Sequence, residues 1–489
     1  MKSKIAMVLI ILGAIAAFVS CRKNIETNVE NNAFTTVAND TQPVSEIPEL
    51  PAKDFGGYEY KLLWPEAIAG SDFIHNELWV EEENGDIIND AVYKRNLAVA
   101  ENYNIIISCV TQSYGEIPNN ISKMVKAGDS SYDAFCTQIA QMSPMAINGD
   151  LADYAEMPHF SPDMPWWNIS TMEALSIAGK QYFGTGDIIF SDDFYPYLIM
   201  CNLKLIKDYG LENPYDVVRS GNWTIGKMIE MAKGVSADLN GDGKYSWEDQ
   251  YGIALVNSGA KAFFYGSGMN ITGKDGDGLP YLVMDGEKTQ SVLEKILQIY
   301  YSDNITLNGN KNTASGLGLN HANTVEKCFV EDRAVFLVIT LISLERIRAA
   351  EVPLGLLPIP KYDEAQEDYI CVLNDMTLLG VPATAPDLDR TSLILSAMSR
   401  ESVSTVTPAF YELVLTQKYL RDKDSVDMLE LILKTEKVPD LGTIYDYGSL
   451  YSGFIDLVVN NKTDFASFYE AKESKALAAI EKFKNSLEK

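Results

Sequence analysis

Histidine is almost missing from this sequence: His75, His159 and His321 are the only three in 489 residues. They are too few and too scattered for a His-rich zinc site or a histidine-bearing metalloprotease helix. Basic residues are also scarce. Forty Lys and Arg stand against 68 Asp and Glu, a net charge of −28. A surface with that excess repels phosphate backbones, which excludes nucleic-acid binding. No G-x-S-x-G elbow or H-E-x-x-H motif occurs, and Gly184-Thr185-Gly186 lacks the third glycine of a dinucleotide fingerprint. Gly268 through Gly273-Lys274 has phosphate-loop spacing, but Asp275 stands where a Ser or Thr must bind magnesium. Nothing among the 68 acidic residues singles out a carboxylate pair for glycoside hydrolysis. There is no repeat of fixed period, which argues against solenoids and propellers.

What is present is ordinary globular composition, 46% hydrophobic and 22% charged, so neither wholesale disorder nor a multi-span membrane protein fits. At roughly 150 residues per domain the length predicts two or three units, or one large two-lobed protein. Lys2 and Lys4 precede an uncharged run from Ile5 to Val19, followed by Phe18-Val19-Ser20-Cys21. The run is shorter than the roughly 20 residues of a spanning helix. It reads as an export signal over residues 1–20 and resembles a bacterial lipoprotein signal, with Cys21 the lipidated residue. From Cys21 to Lys53 the chain is polar with one aromatic, Phe34, and is expected to be a flexible stalk. Cys109, Cys136, Cys201, Cys328 and Cys371 are widely spaced and mostly among apolar neighbours, and read as buried thiols.

Tyr58, Tyr60, Leu62 and Trp64 alternate as on a half-buried strand. A helix is expected near Asp90–Tyr103 with Asn89 as N-cap, then a buried strand from Asn104, a helix near Ile117–Ala127 and an apolar strand at Ala134–Cys136. Strand and helix in alternation predict a parallel sheet with right-handed crossovers. Asp387–Lys434 and Ala466–Lys489 read as helical.

One local motif points to a metal. Asp238, Asn240 and Asp242 alternate, Gly243 occupies the sharp turn, Ser246 the ninth position and Asp249 the twelfth. With the Lys244 carbonyl this is the oxygen set of an EF-hand-like loop, and it predicts structural Ca2+. Asp249, one methylene shorter than the usual Glu, weakens the set, and the alternative is an Asp/Asn/Gly turn without metal. The acidic stretch Lys274–Pro280 reads instead as a hairpin turn. Six Trp, 26 Tyr and 18 Phe could stack on a sugar face, although most such rings fill cores, Trp166 and Trp167 among them.

Several segments together resemble the bacterial extracellular solute-binding proteins of family 1: Gly85–Asn96, Ala127–Phe135, Tyr209–Thr224, Leu354–Tyr369 and Arg421–Leu429. The resemblance implies an α/β, periplasmic-binding-protein-like (type II) fold of two lobes joined by hinge strands around a ligand cleft. Lobe 1 is expected over 54–186 plus 328–384, and lobe 2 over 187–327 plus 385–489. It further implies a non-enzymatic, monomeric lipoprotein of an ABC importer on the extracellular face of the cytoplasmic membrane. Such a protein captures a carbohydrate, in particular an oligosaccharide, and hands it to the permease. By approximate strand placement the resemblance nominates Trp64, Glu66, Thr137, Gln138, Gln141, Asp192, Asp193, Tyr195, Asn257, Phe264 and Thr340 as ligand contacts, with Trp64, Tyr195 or Phe264 as the stacking face. The alternatives are a calcium-stabilised surface glycoside hydrolase or lyase, or the same fold binding a peptide or polyamine.

Overall fold

The computed structural model describes residues 48–66, 77–284, 286–302, 304–347, 350–374, 376–415 and 423–487. The export signal, Cys21 and most of the stalk lie outside them. Lobe 1 is built on β1 (Tyr58–Pro65), β2 (Ile105–Gln112) and β3 (Ala134–Gln138), with β1 parallel to both neighbours. This is the expected βαβαβ unit. Its first connecting helix, Ile87–Tyr103, starts three residues earlier than expected. Asp86, not Asn89, is the N-cap, because its carboxylate accepts from the Ile88 and Asn89 amides at 3.1 and 3.0 Å. Tyr60, Leu62 and Trp64 pack one face of the sheet against Val99 and Tyr103, while Leu63 and Phe135 pack the other against Ile117, Ile121 and Met142.

Lobe 2 holds a second sheet. Its strands are β4 (Tyr197–Asn202), β5 (Tyr251–Leu255), β8 (Thr306–Asn308), β9 (Ala334–Thr340) and β10 (Leu354–Leu357), ordered β10-β4-β9-β5-β8. A two-stranded hairpin of β6 (Thr272–Lys274) and β7 (Pro280–Leu282) stands apart from it, as the turn at 274–280 predicts. The short β11 (Cys371–Val372) pairs with the later β13 (Glu436–Lys437).

The expected lobe boundaries need two corrections. Residues 328–384 were assigned to lobe 1, but β9 lies between β4 and β5, and β10 pairs with β4. All seven residues of β9 are buried and apolar apart from its terminal threonine, and such a strand is stable only between two neighbours with both faces covered. The chain returns to lobe 1 at β12 (Thr377–Gly380), which pairs antiparallel with β3. Residues 385–489 were assigned to lobe 2, but the helices Leu388–Ser402 and Val406–Leu415 pack on the 87–103 helix of lobe 1. Lobe 2 resumes with Lys423–Lys434, which packs on β10.

The stalk is corrected at its inner end. Arg400 Nε donates to the Pro48 carbonyl at 3.0 Å, and Lys53 pairs with Asp389 at 2.5 Å, so residues 48–53 lie against lobe 1. Of the cysteines, Cys136, Cys201, Cys328 and Cys371 are buried and Cys109 is half-buried, all as free thiols. Burial pushes Cys109, Cys201 and Cys328 up to about 12 and Cys371 to about 11, which keeps the reactive thiolate scarce.

Candidate functional site at the strand ends

The parallel strands of lobe 1 all end at one edge. Pro65 is in register with Gln112, and Leu63 with Phe135, so Glu66, Gln112 and Gln138 follow at the same level. Tyr114 donates to Gln138 Oε1, Asn120 Nδ2 donates to Gln112 Oε1 at 2.9 Å, and half-buried Gln141 lies in the first turn of the helix Ile139–Ile147. In lobe 2, Leu255 is in register with Asn308 and Tyr197 with Thr340. Asn308 Nδ2 donates to Asn257 Oδ1 at 2.9 Å, and the Asn257 amide donates to exposed Asn310 at 2.7 Å.

Hinge residues tie these two edges together. The Asn374 amide donates to the Tyr195 carbonyl at 2.8 Å, and Tyr197 Oη donates to Asn374 Oδ1 at 3.2 Å. Two residues on, the Met376 carbonyl accepts from Ile139, the residue after Gln138, at 3.0 Å. The carboxyl ends of both sheets are therefore linked through Asn374 and Met376, and it is at such strand ends that open α/β sheets place their ligands. The residues at these strand ends are rich in amides and hydroxyls, groups that both donate and accept.

Of the residues nominated from the sequence, Glu66, Gln138, Gln141, Asn257 and Thr340 fall on these strand ends. Trp64, Tyr195 and Phe264 do not present a free ring: they are 2%, 1% and 1% exposed. Trp64 packs in the core of lobe 1, and Phe264 lies 4.8 Å from the Phe454 ring. All three side chains point inward; only for Trp64, on β1, is this a matter of strand register, since Phe264 lies in the helix Gly259–Gly266 and Tyr195 precedes β4. Thr137 is fully buried, and Oγ1 has no hydrogen-bond partner in the protein. Asp192 is buried and accepts from Asn168 Nδ2 at 2.8 Å, beside buried Asp193. Gln112, Tyr114, Asn308, Asn310 and Asn374 were missed. The polar runs closing β2 and β8, Thr-Gln-Ser-Tyr and Asn-Gly-Asn, are the signal that could have found the first four.

A cavity of about 400 Å³ also opens between the lobes, lined by Ser170 and Thr171 of lobe 1 and by Asn270, Thr272, Glu436 and Lys437 of lobe 2. Burial pulls the Lys437 ammonium below its ordinary value, against the pull of Asp440.

In the 238–249 loop each expected ligand side chain accepts from a backbone amide. Asp238 accepts from Gly241 and Gly243 at 2.7 and 2.8 Å, Asn240 from Asp242 at 2.9 Å, and Asp242 from Lys244 at 2.8 Å. Buried Asp249 accepts from Leu239 at 3.0 Å and Ser246 at 2.8 Å. Each oxygen keeps a second lone pair, so the donor chemistry fits a hard cation. Convergence does not yet fit: among the described residues no three His, Cys, Asp or Glu side chains are grouped to hold a metal.

Solved structures share this architecture. The ABC substrate-binding protein Lmo0181 from Listeria monocytogenes, in complex with cycloalternan, is 13% identical with TM-score 0.54, covering 88% of this chain and 99% of that one. UspC of M. tuberculosis is 13% identical with TM-score 0.56, over 86% of this chain and 100% of that one. The GacH receptor of Streptomyces glaucescens, solved unliganded and with acarbose, is 13% identical with TM-score 0.52, over 88% and 99%. The fold is that of the type II periplasmic binding proteins. The shared fold covers 86–88% of this chain. No protein-family model matches the sequence, and no curated protein does.

Proposed function

We propose that the protein is the non-enzymatic solute-binding component of an ABC importer, capturing a carbohydrate, in particular an oligosaccharide, by closure of its two lobes. The observation that carries this reading is the set of amides and hydroxyls at two linked strand-end edges, which suits neutral polyols. Three of the solved neighbours are complexes with cycloalternan, acarbose or maltotetraose, which supports a sugar over a peptide or polyamine. Tethering through lipid on Cys21 would keep the protein beside its permease on the outer membrane face. Among the described residues no helix is long and apolar enough to cross a membrane.

A ligand that binds only the native state stabilises it by about 2.7 kcal/mol at a hundredfold excess over Kd. A maltooligosaccharide series is therefore expected to raise the melting temperature and, at saturation, to lower the radius of gyration in solution. Stabilisation by peptides or polyamines alone would overturn the sugar, and release of reducing sugar would favour the hydrolase reading.

We further propose that Asp238, Asn240, Asp242, Ser246, Asp249 and the Lys244 carbonyl hold structural calcium. At a hundredfold excess over Kd, calcium should add about 2.7 kcal/mol of stability. Asp238→Ala in calcium should melt no higher than chelated wild type. Asp238 also holds two loop amides, so the deciding measurement is the wild type with and without chelator; an unchanged melt removes the metal.

A further inference from the structure

The lobes also meet away from the strand ends. Lys274, the last residue of β6 in lobe 2, reaches into lobe 1, where its Nζ donates to the carbonyls of Glu173 and Ser176 at 2.7 and 2.6 Å and to Ser176 Oγ at 3.1 Å. These groups end the helix Ile169–Leu175. The last carbonyls of a helix lack partners within it, and its dipole favours a cation there. The ammonium thus gains three acceptors while covering a helix end.

Two neighbouring contacts join the same flank. The Ala178 amide donates to the Gly278 carbonyl at the hairpin tip at 3.3 Å. A Cβ on Gly278 would lie 3.1 Å from the Gly179 nitrogen, so the two turns approach backbone to backbone. Tyr445 Oη donates to the Ser143 carbonyl at 2.8 Å, on the helix that begins directly after Gln138. All three contacts span the lobe boundary, and Tyr445 holds lobe 2 against the rim of the strand-end site. Burial draws Lys274 down to about 8, with Glu173 opposing the shift, consistent with a cation that exchanges water for protein acceptors when the lobes meet.

We propose that Lys274 is an interlobe latch: by capping the 169–175 helix across the boundary it stabilises the closed arrangement, and so strengthens solute binding without touching the solute. The effect on affinity rests on the solute-binding reading above; the effect on closure does not. A binding-competent state that is less populated lowers apparent affinity by the same factor.

The test compares wild type with Lys274→Met, and with Lys233→Met as a charge-matched control at an exposed lysine of the same lobe. Small-angle scattering of ligand-free protein comes first. Lys274→Met should enlarge the radius of gyration while retaining the circular dichroism spectrum, and Lys233→Met should change neither. Tyr445→Phe, which removes only a hydroxyl, should move the radius in the same direction. With a maltooligosaccharide as probe, Lys274→Met should weaken Kd by about tenfold, mostly through faster dissociation. Unchanged ligand-free scattering overturns the latch whatever happens to Kd, and so does an equal change in Lys233→Met. A larger radius with no sugar bound by either protein supports the latch and removes the sugar.

Discussion

Arg95→Ala is expected to destabilise the protein by about 3–5 kcal/mol, the cost of breaking a buried charged network. Arg95 is fully buried in lobe 1. Its Nη2 donates to the carbonyls of Glu77 and Leu78 at 2.9 and 2.8 Å, Nη1 to the Ile188 carbonyl at 3.2 Å and to Ser402 Oγ at 3.4 Å, and Nε to Asn96 Oδ1 at 3.0 Å. Truncation strands these acceptors in a dry interior, at about 1–3 kcal/mol for each one left unsatisfied. It also leaves a cavity the size of a guanidinium and its stem. Burial draws Arg95 down to about 9 despite the opposing charge of nearby Glu77. Because Ile188 leads into the crossover between the lobes, the same substitution should loosen solute binding. Denaturant unfolding measures the stability term; a loss below about 1 kcal/mol would show that the carbonyls find other donors.

Gly186→Ala should cost about 4 kcal/mol, combining backbone strain with overpacking. Gly186 has φ +148°, and a Cβ there would lie 2.2 Å from the Trp166 carbonyl oxygen and 2.9 Å from the Trp167 Cα. Neither atom can swing away, since the Trp166 carbonyl already accepts from the Asp187 amide at 2.9 Å. Chain exit from lobe 1 would have to shift as a unit. Gly57→Ala provides the comparison: it too has positive φ, at +79°, but has nothing within 4 Å of the added carbon. It should cost only the conformational term, about 1 kcal/mol. Equal melting temperatures for the two variants would refute the packing argument.

Both residues govern the first crossover. Thr407 Oγ1 donates to Asp187 Oδ1 at 2.6 Å within it, while its far end meets the second crossover through Asn374 and Tyr195. Arg95 and Gly186 hold the lobe-1 end in place, so the proposed closure would bend the chain beyond Phe190. Lys274, on the flank, biases how far that bend goes.

Local patterns made much of lobe 1 legible. Tyr58 to Trp64 alternates, the 87–103 helix carries Val92 and Val99 on one face, and Ala134 to Cys136 is apolar throughout; each signal is contained within a few residues. The 274–280 hairpin was equally plain, because Asp and Gly specify their turn locally. Lobe boundaries were not legible. The segment Ala334–Thr340 reads as a buried strand in either sheet, and only its fit between β4 and β5 places it in lobe 2. The stacking candidates are buried for a related reason: one step of register turns Trp64 of β1 into the core, and Phe264 lies in a helix whose every residue is buried.

From the sequence alone came the acidic charge, the class of alternating strands and helices, the expectation of an export signal, and the resemblance that implied two lobes around a cleft. These depend on composition and on contacts between near neighbours in the chain. The tertiary structure decided which strands share a sheet, which amides reach the strand-end edges, why Gly186 must be glycine, and that Lys274 meets the end of a helix about 100 residues away. Each of those depends on pairing over long sequence separation, where the winning contact is set by how whole layers pack and not by any residue's own preference.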